Sequence, residues 1–394
     1  MITQEYLPPR TRPFDPPDML AELRATAPLT KVTIWDGTKV WLVTQYDAAR
    51  EVLRDPRFSV DVKNPGFPKL SAGRVSVQPT MSRMDDPRHG EIRRMLADEF
   101  LSGRIKKMWP AIARIVDSQI DHLLGTQPPT DFHAEFALPV PTRVIGELLG
   151  VPPAEHRTFH EATQVMLSRT ATKEEFVAAD QELISLCARL LAQKDPDATD
   201  DMLSRTIVRE MRAGRLTTEE AYHTTKLLII GGHETSANMI SLGTLTMLLN
   251  PEWFRQIRDQ PEAVSGAVEE LLRYHTPMHD GVPRVATDDV VIAGTLIKAG
   301  EGVIVSLAAG NRDESEFANP DELEIDRERP RRHLSFGHGA HKCLGQWLAR
   351  AELQIALAAL ARRIPTLRPA VPLEEISFKE DSHVFGVHAL PLTW

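Results

Sequence analysis

The stretch Ser335-Phe-Gly-His-Gly-Ala-His-Lys-Cys343-Leu-Gly345 decides how this chain is read. Three glycines within nine residues permit tight turns and let the backbone come close to something large and flat. A strongly apolar helix is expected directly afterwards, over residues 346–364, so Cys343 stands where a helix begins. There the free N–H groups and the positive end of the helix dipole favour a thiolate. A thiolate so placed suits axial ligation of a haem iron, onto which it pushes electron density. Two other readings stay open on the residues alone. One is a buried structural cysteine on a glycine-rich turn. The other is a zinc site from His338, His341 and Cys343, for which no second ligand pair is visible. The remaining cysteine, Cys187, sits in a leucine-rich pattern that reads as a packed helix face.

Working outward, Gly231-Gly-His-Glu-Thr-Ser236 lies at the centre of a long helical stretch, residues 218–249. Two mid-helix glycines cost roughly 1 kcal/mol each relative to alanine. Missing side chains make room for a ligand, and a threonine beside a carboxylate can bend the helical ladder and hold water or oxygen. Tight helix packing, with Glu234 reaching solvent, is the competing explanation. Glu270-Leu-Leu-Arg273 is an i,i+3 pair that alone reads as an ordinary surface ion pair. His89 and Arg93, four apart, put two cationic donors on one face, which suits a carboxylate partner or a solvated basic surface.

The 394 residues are 42% apolar and 26% charged, a globular composition, and the net charge of −9 gives no support for nucleic-acid binding. Two cysteines exclude a disulfide framework and fit a reducing, cytoplasmic setting. The N-terminus MITQEYLPPRTRPFDPPDM has no apolar run of the kind signals and anchors need, and its prolines suggest an extended arm lying on the surface. The apolar stretch 227–249 carries His233, Glu234 and Asn238, so it reads as a buried helix rather than a membrane span. Asp36-Gly37 between residues 31–35 and 38–43 signals a hairpin. Helices are expected over 46–54, 87–99, 107–124, 173–193, 218–249 and 261–274, with strands at 290–292, 302–307 and 384–390. A Gly/Pro/Ser-rich loop, residues 61–86, is long enough to be functional. The pattern predicts one mainly α unit, residues 1–394, with a smaller β-rich lobe.

The segment Phe336-x-x-Gly339-x-His341-x-Cys343-x-Gly345 resembles the haem-binding loop of cytochromes P450, and the likeness runs from about Asp18 to Trp394. The resemblance implies the P450 fold and a haem-thiolate monooxygenase using O2. It implies haem b with Cys343 as proximal ligand, Phe336, Gly337 and Gly345 in the loop, and His341 supporting a propionate. Glu270 and Arg273 match the family's ExxR pair, with Arg327 as the second arginine. Gly231 to Thr235 matches the acid–alcohol motif, which makes Glu234 a proton relay and gives Thr235 a hydrogen bond to oxygen at the haem. His89 and Arg93 match the helix that donates to the propionates, and Arg284 resembles another propionate-binding arginine just before a strand. Electrons would come from a ferredoxin and ferredoxin reductase, docking on Arg104, Lys106, Lys107, Arg331, Arg332, Lys342 and Arg350. The protein would be a monomer acting on a mid-sized, largely apolar compound, with no nucleic acid or membrane partner. The pocket would draw on residues 61–86 and 155–172, Ile230, residues 279–282, Val384 and Phe385. Two other functions are weighed: a P450-type nitric oxide reductase, which stretches such as Phe136–Pro141 and Asn311-Arg-Asp313 also resemble, and a non-catalytic haem sensor or binding protein. The first lacks an acid matching Glu234, and the second would have no use for a proton-delivery pair.

Overall fold

The Asp36-Gly37 signal produces a hairpin whose loop is one residue longer than that dipeptide. In the computed structural model, which describes residues 6–75 and 80–394, β1 (Leu29–Thr33) pairs antiparallel with β2 (Lys39–Val43). Ile34 and Thr38 bond across the turn. Gly37, at φ +85°, supplies the left-handed residue that a three-residue loop requires. This hairpin edges a five-stranded sheet that also contains β3 (Phe58–Ser59), β4 (Val282–Ala286) and β5 (Gly302–Val305). The spatial order is β1-β2-β5-β4-β3, with β2 and β5 parallel and the other pairs antiparallel.

Helices make the larger lobe. Thr218–Leu249 runs through its centre, buried all round from Ser236 to Met247, as a helix without a solvent face must be. Thr217 and Glu220 close its N-terminus with a capping box. Arg88 donates to both Glu220 oxygens at 2.6 Å, tying the helix Arg88–Ala97 to that first turn. The Arg88 hydrogen bonds hold the Glu220 carboxyl down at about 2. Gln346–Arg363 packs against both Thr218–Leu249 and Ser102–Leu124. Among the described residues no helix is long and apolar enough to cross a membrane.

The expected helices and the strands near 290 and 302 form with shifted ends. Among the described residues, six α-helices arise where none was expected: Asp18–Thr26, Pro139–Leu149, His156–Leu167, Pro251–Asp259 and the short Arg209–Arg212 and Leu307–Gly310. Pro139, Pro141 and Pro251 stand in first turns, where a missing N–H costs nothing, so residues that read as breakers are helix starts. The expected strand 384–390 does not form. Its backbone bonds to irregular segments, Phe385 to Pro277 and His388 to Ser377, and the terminal strand is Pro391–Thr393. The proline-rich arm also departs from expectation. Beyond residues 1–5, which lie outside the described residues, Tyr6 and Leu7 are buried, and Tyr6 Oη donates to the Asp280 carbonyl at 2.5 Å.

Candidate active site

The cysteine loop is shaped by its glycines. Gly337 and Gly339 adopt φ near +70° and +73°, and a Cβ on Gly339 would lie 2.4 Å from the Leu53 carbonyl oxygen. The Cys343 N–H bonds to the Phe336 carbonyl at 2.8 Å, closing the loop two residues before the helix N-cap Gly345. Cys343 keeps accessible surface and lines a cavity inside the protein. Burial pushes the thiol up, while the Gly345 N–H and the cations Arg93, Arg350 and Lys342 pull it back toward the thiolate. Cys187 is fully buried, with its thiol pushed up to about 12 by burial, as a structural cysteine should be.

Two adjacent carboxylates buttress the loop from below. Glu270 takes two hydrogen bonds of 2.7 Å from Arg273 and two of 3.0 Å from Arg327, and all three side chains are buried. The remaining Arg273 donors reach the carbonyls of Asn311, Pro320 and Glu322. The surface-pair reading of Glu270 and Arg273 is therefore wrong. Sequence reasoning missed Glu269, whose oxygens accept from Arg350 at 2.6 and 2.9 Å and from His333 at 3.0 Å. Burial raises the Glu269 carboxyl, but His333 and Arg350 outweigh it and hold the group at about 2. Arg350 also lies 4.4 Å over the Phe336 ring, so it belongs to the loop's foundation and not to a surface docking face. Asn311 bonds Thr276, Ser335 and the Leu334 N–H, which makes the Asn311-Arg-Asp313 stretch a scaffold feature.

Above the loop lies a cavity of about 320 Å³. It brings together His89, Arg93, Thr235, Phe336, Gly337, His341, Cys343 and Gly345. His89 stacks on His341 at 4.0 Å, and burial drives His341 down to about 3, so both rings face the cavity neutral at ordinary pH. Arg93 donates to the Lys342 carbonyl at 2.6 Å. Arg284 is buried within β4, not before a strand, and is off the cavity wall but near enough to His341 to act on its charge. Its Nη1 bonds the Pro283 carbonyl, and burial lowers it to about 10. Among the described residues neither arginine meets a carboxylate in an ion pair. Arg284 is buried and Arg93 half-buried, and a buried cation needs an anion, so these residues fit a ligand that brings carboxylates, and Cys343 fits a metal. A haem meets both needs. The three residues His338, His341 and Cys343 are not among the described groups able to hold a metal, which leaves the zinc reading without support.

The two central glycines divide their work. A Cβ on Gly231 would meet nothing within 4 Å, whereas one on Gly232 would lie 2.8 Å from Ile145 Cδ1. Both glycines line the cavity; Gly231 leaves open space there, and Gly232 also lets Pro139–Leu149 pack. Thr235 lines the cavity and donates its hydroxyl to the Gly231 carbonyl at 3.0 Å. Glu234 is not on the wall. Its Oε2 is held by Asn238 at 3.1 Å and Lys379 at 3.4 Å, and its Oε1 lies 3.5 Å from His160. Burial raises this carboxyl, but Lys379 and three histidines leave it below its ordinary value. Glu352, another group missed from the sequence, does line the cavity, and burial pushes it up to about 8. Of the expected pocket, Met81, Ser82 and Val282 reach the wall, while Ile230, His279 and Phe385 do not. Residues 76–79 of the long loop lie outside the described residues.

This geometry matches known proteins across the whole chain. The cytochrome P450 family profile matches residues 148–364. Cytochrome P450-SU2 of Streptomyces griseolus is 46% identical over 385 residues, 97% of this chain and 94% of that protein. Pentalenic acid synthase of Streptomyces avermitilis is 41% identical, covering 98% of this chain and 96% of that one. The crystal structure of CYP105P1 in complex with filipin I superposes with a TM-score of 0.92 at 38% identity, over 99% of each chain. The chain belongs to the cytochrome P450 family. It is a haem-thiolate monooxygenase of the bacterial type, and these relatives do not favour nitric oxide reduction or non-catalytic haem binding.

Proposed function

We propose that Cys343 is the thiolate ligand of haem b and that His89, Arg93, His341 and Arg284 receive its propionates. Phe336, Gly337 and Gly345 shape the bed beneath, and Glu234 and Thr235 deliver protons, within one haem domain spanning residues 1–394. The observation that carries this reading is that Cys343 lines a cavity shared with Arg93 and Lys342, neither of which has a carboxylate partner among the described residues. Bound haem supplies the activation of O2. The chain supplies the rest. Thr235 commits its proton to the Gly231 carbonyl, so its lone pairs are free to accept from a donor in the cavity. Glu234 must release Lys379 to turn toward that hydroxyl, which makes proton delivery a rotation between two hydrogen-bonded positions. Apolar walls including Met81, Leu227, Leu228, Met239 and Met278 exclude bulk water.

The substrate is a mid-sized, largely apolar compound of secondary metabolism, in keeping with the apolar walls and with relatives such as a pentalenic acid synthase. Electrons come from a ferredoxin and its reductase, to a monomer in the cytoplasm. Of the seven basic residues expected to form a docking face, Arg104, Arg331, Arg332 and Arg350 pair with Glu99, Glu269, Glu316 and Glu269 respectively. Lys106, Lys107 and Lys342 remain as the docking set.

Replacing Cys343 with serine tests the ligand directly. The wild-type protein should give a thiolate-type Soret band in its reduced carbon monoxide complex, and the variant should lose it. An unchanged band would overturn the assignment. Replacing Thr235 with alanine should lower product per electron pair several-fold, with peroxide released instead; unchanged coupling would remove Thr235 from proton delivery.

A further inference from the structure

The face of Thr218–Leu249 that carries Glu234 points into a second polar site, away from the cavity. His233 and Glu234 of that helix and His160 of His156–Leu167 each bring one ligating atom to within 4.8 Å of the others. His233 is fully buried and Glu234 is 3% exposed. Both ring nitrogens of His233, Nδ1 of His160 and Oε1 of Glu234 have no hydrogen-bond partner among the described residues. A buried polar atom left unbonded costs about 1–3 kcal/mol, and one such atom from each of the three residues can share a single partner. The two imidazoles meet edge-on at 5.1 Å, with Phe159 closing the other side of His233 at 5.3 Å.

Two imidazoles and one carboxylate form a donor set suited to zinc and its neighbours, with metal–ligand distances of about 2.0–2.2 Å. His160 Nδ1 and Glu234 Oε1 are already 3.5 Å apart, close to the spacing that such bonds impose around one ion. His160 retains 19% side-chain exposure, which leaves an entry path and a ring able to rotate inward. We propose that His160, His233 and Glu234 form a binding site for a divalent transition-metal ion of the zinc class. Burial keeps His233 unprotonated down to about pH 4, so its ring is ready to ligate at neutral pH without displacing a proton. The charged neighbour is Lys379, which pairs with Glu234 Oε2 and lies 3.3 Å from His133 Nε2. It opposes a cation but occupies the carboxylate oxygen that the ion does not need. The bound ion would fix Glu234 away from Thr235, so loading should slow turnover. That consequence, unlike the site itself, rests on the proton-relay reading above.

The test is calorimetric titration of the chelator-treated holoenzyme with Zn2+, with metal counted after gel filtration. One saturable zinc per chain beyond the haem iron is expected. His160→Ala and His233→Phe should each weaken binding at least ten-fold with the Soret band unchanged. His122→Ala, which removes a surface histidine 2.7 Å from Glu135, should leave binding as it was. No saturable zinc, equal binding in both cluster variants, or loss in His122→Ala alone would overturn the proposal. The first of these outcomes would assign the four unbonded atoms to ordered water. Zinc that binds at the cluster without slowing turnover supports the site and counts against proton relay by Glu234.

Discussion

Beneath the cysteine loop, Glu269 and Glu270 each grip two basic side chains at 2.6–3.0 Å, whereas Glu234 meets Lys379 and His160 at 3.4 and 3.5 Å. All three carboxylates are nearly excluded from solvent, so the contrast lies in satisfaction and not in burial. The lower pair spends every oxygen on short, charge-assisted bonds, and the arginines spend their remaining donors on carbonyls. Such a network has one arrangement of low energy and holds whatever is built on it. The Glu234 cluster has long contacts and unbonded atoms, so no single arrangement is strongly preferred. A ligand bed needs the first kind of construction, and a group that passes protons or takes up an ion needs the second.

The largest test of this contrast is Glu270→Ala. It strands Arg273, which has no exposed surface, together with Arg327. Breaking a buried pair in this way costs about 3–5 kcal/mol, a large part of a typical domain's stability. The denaturation midpoint should fall accordingly and the haem content with it. A variant as stable as the wild type would show that the lower network is not the anchor.

Glu269→Gln should produce a smaller, pH-dependent effect. The folded carboxyl sits at about 2, below its ordinary 4.5, so the folded state favours the ionised form. Its contribution is complete above pH 4.5 and disappears as pH falls toward 2. The total is about 3 kcal/mol at roughly 1.4 kcal/mol per unit. The wild-type advantage over Glu269→Gln should therefore shrink on acidification through that window. A gap that stays constant from pH 6 to pH 3 would mean the carboxylate does not stabilise the fold through its charge.

The sequence revealed the part of this comparison that depends on short spacing. Cys343 with its glycines, the Glu270 and Arg273 pair, and His89 with Arg93 are each contained within one turn or one helix. Partnerships across long separations were hidden. Glu269 finds Arg350 and His333 at separations of 81 and 64 residues, and nothing local distinguishes it from its neighbour. Glu234 was identified as a residue, but its orientation is set by Lys379, 145 positions away. The N-terminal arm reads as surface because its prolines say nothing of Asp280, 274 residues from Tyr6. Local pattern thus gave the candidate ligand and its cradle, while the buttress and the acid's resting place depend on tertiary contacts.

The smallest effect separates the two glycines that the sequence presents as equals. Gly231→Ala adds a methyl group to open space, so the helix should gain about 1 kcal/mol from the better helix former. The same methyl intrudes on the cavity, and optical titration with apolar compounds should show weaker binding. Gly232→Ala brings a Cβ to 2.8 Å from Ile145, so its helix gain is offset by the shift that side chain must make. Gly232 and Ile145 also line the cavity, so affinity should fall only as far as the displaced Ile145 side chain intrudes there, less than in Gly231→Ala. Gly231→Ala raising stability, and lowering affinity more than Gly232→Ala does, would show that the open side of this helical turn faces the substrate. Equal behaviour of the two variants would mean that the cavity does not extend over Gly231, and that this turn of the helix serves packing alone.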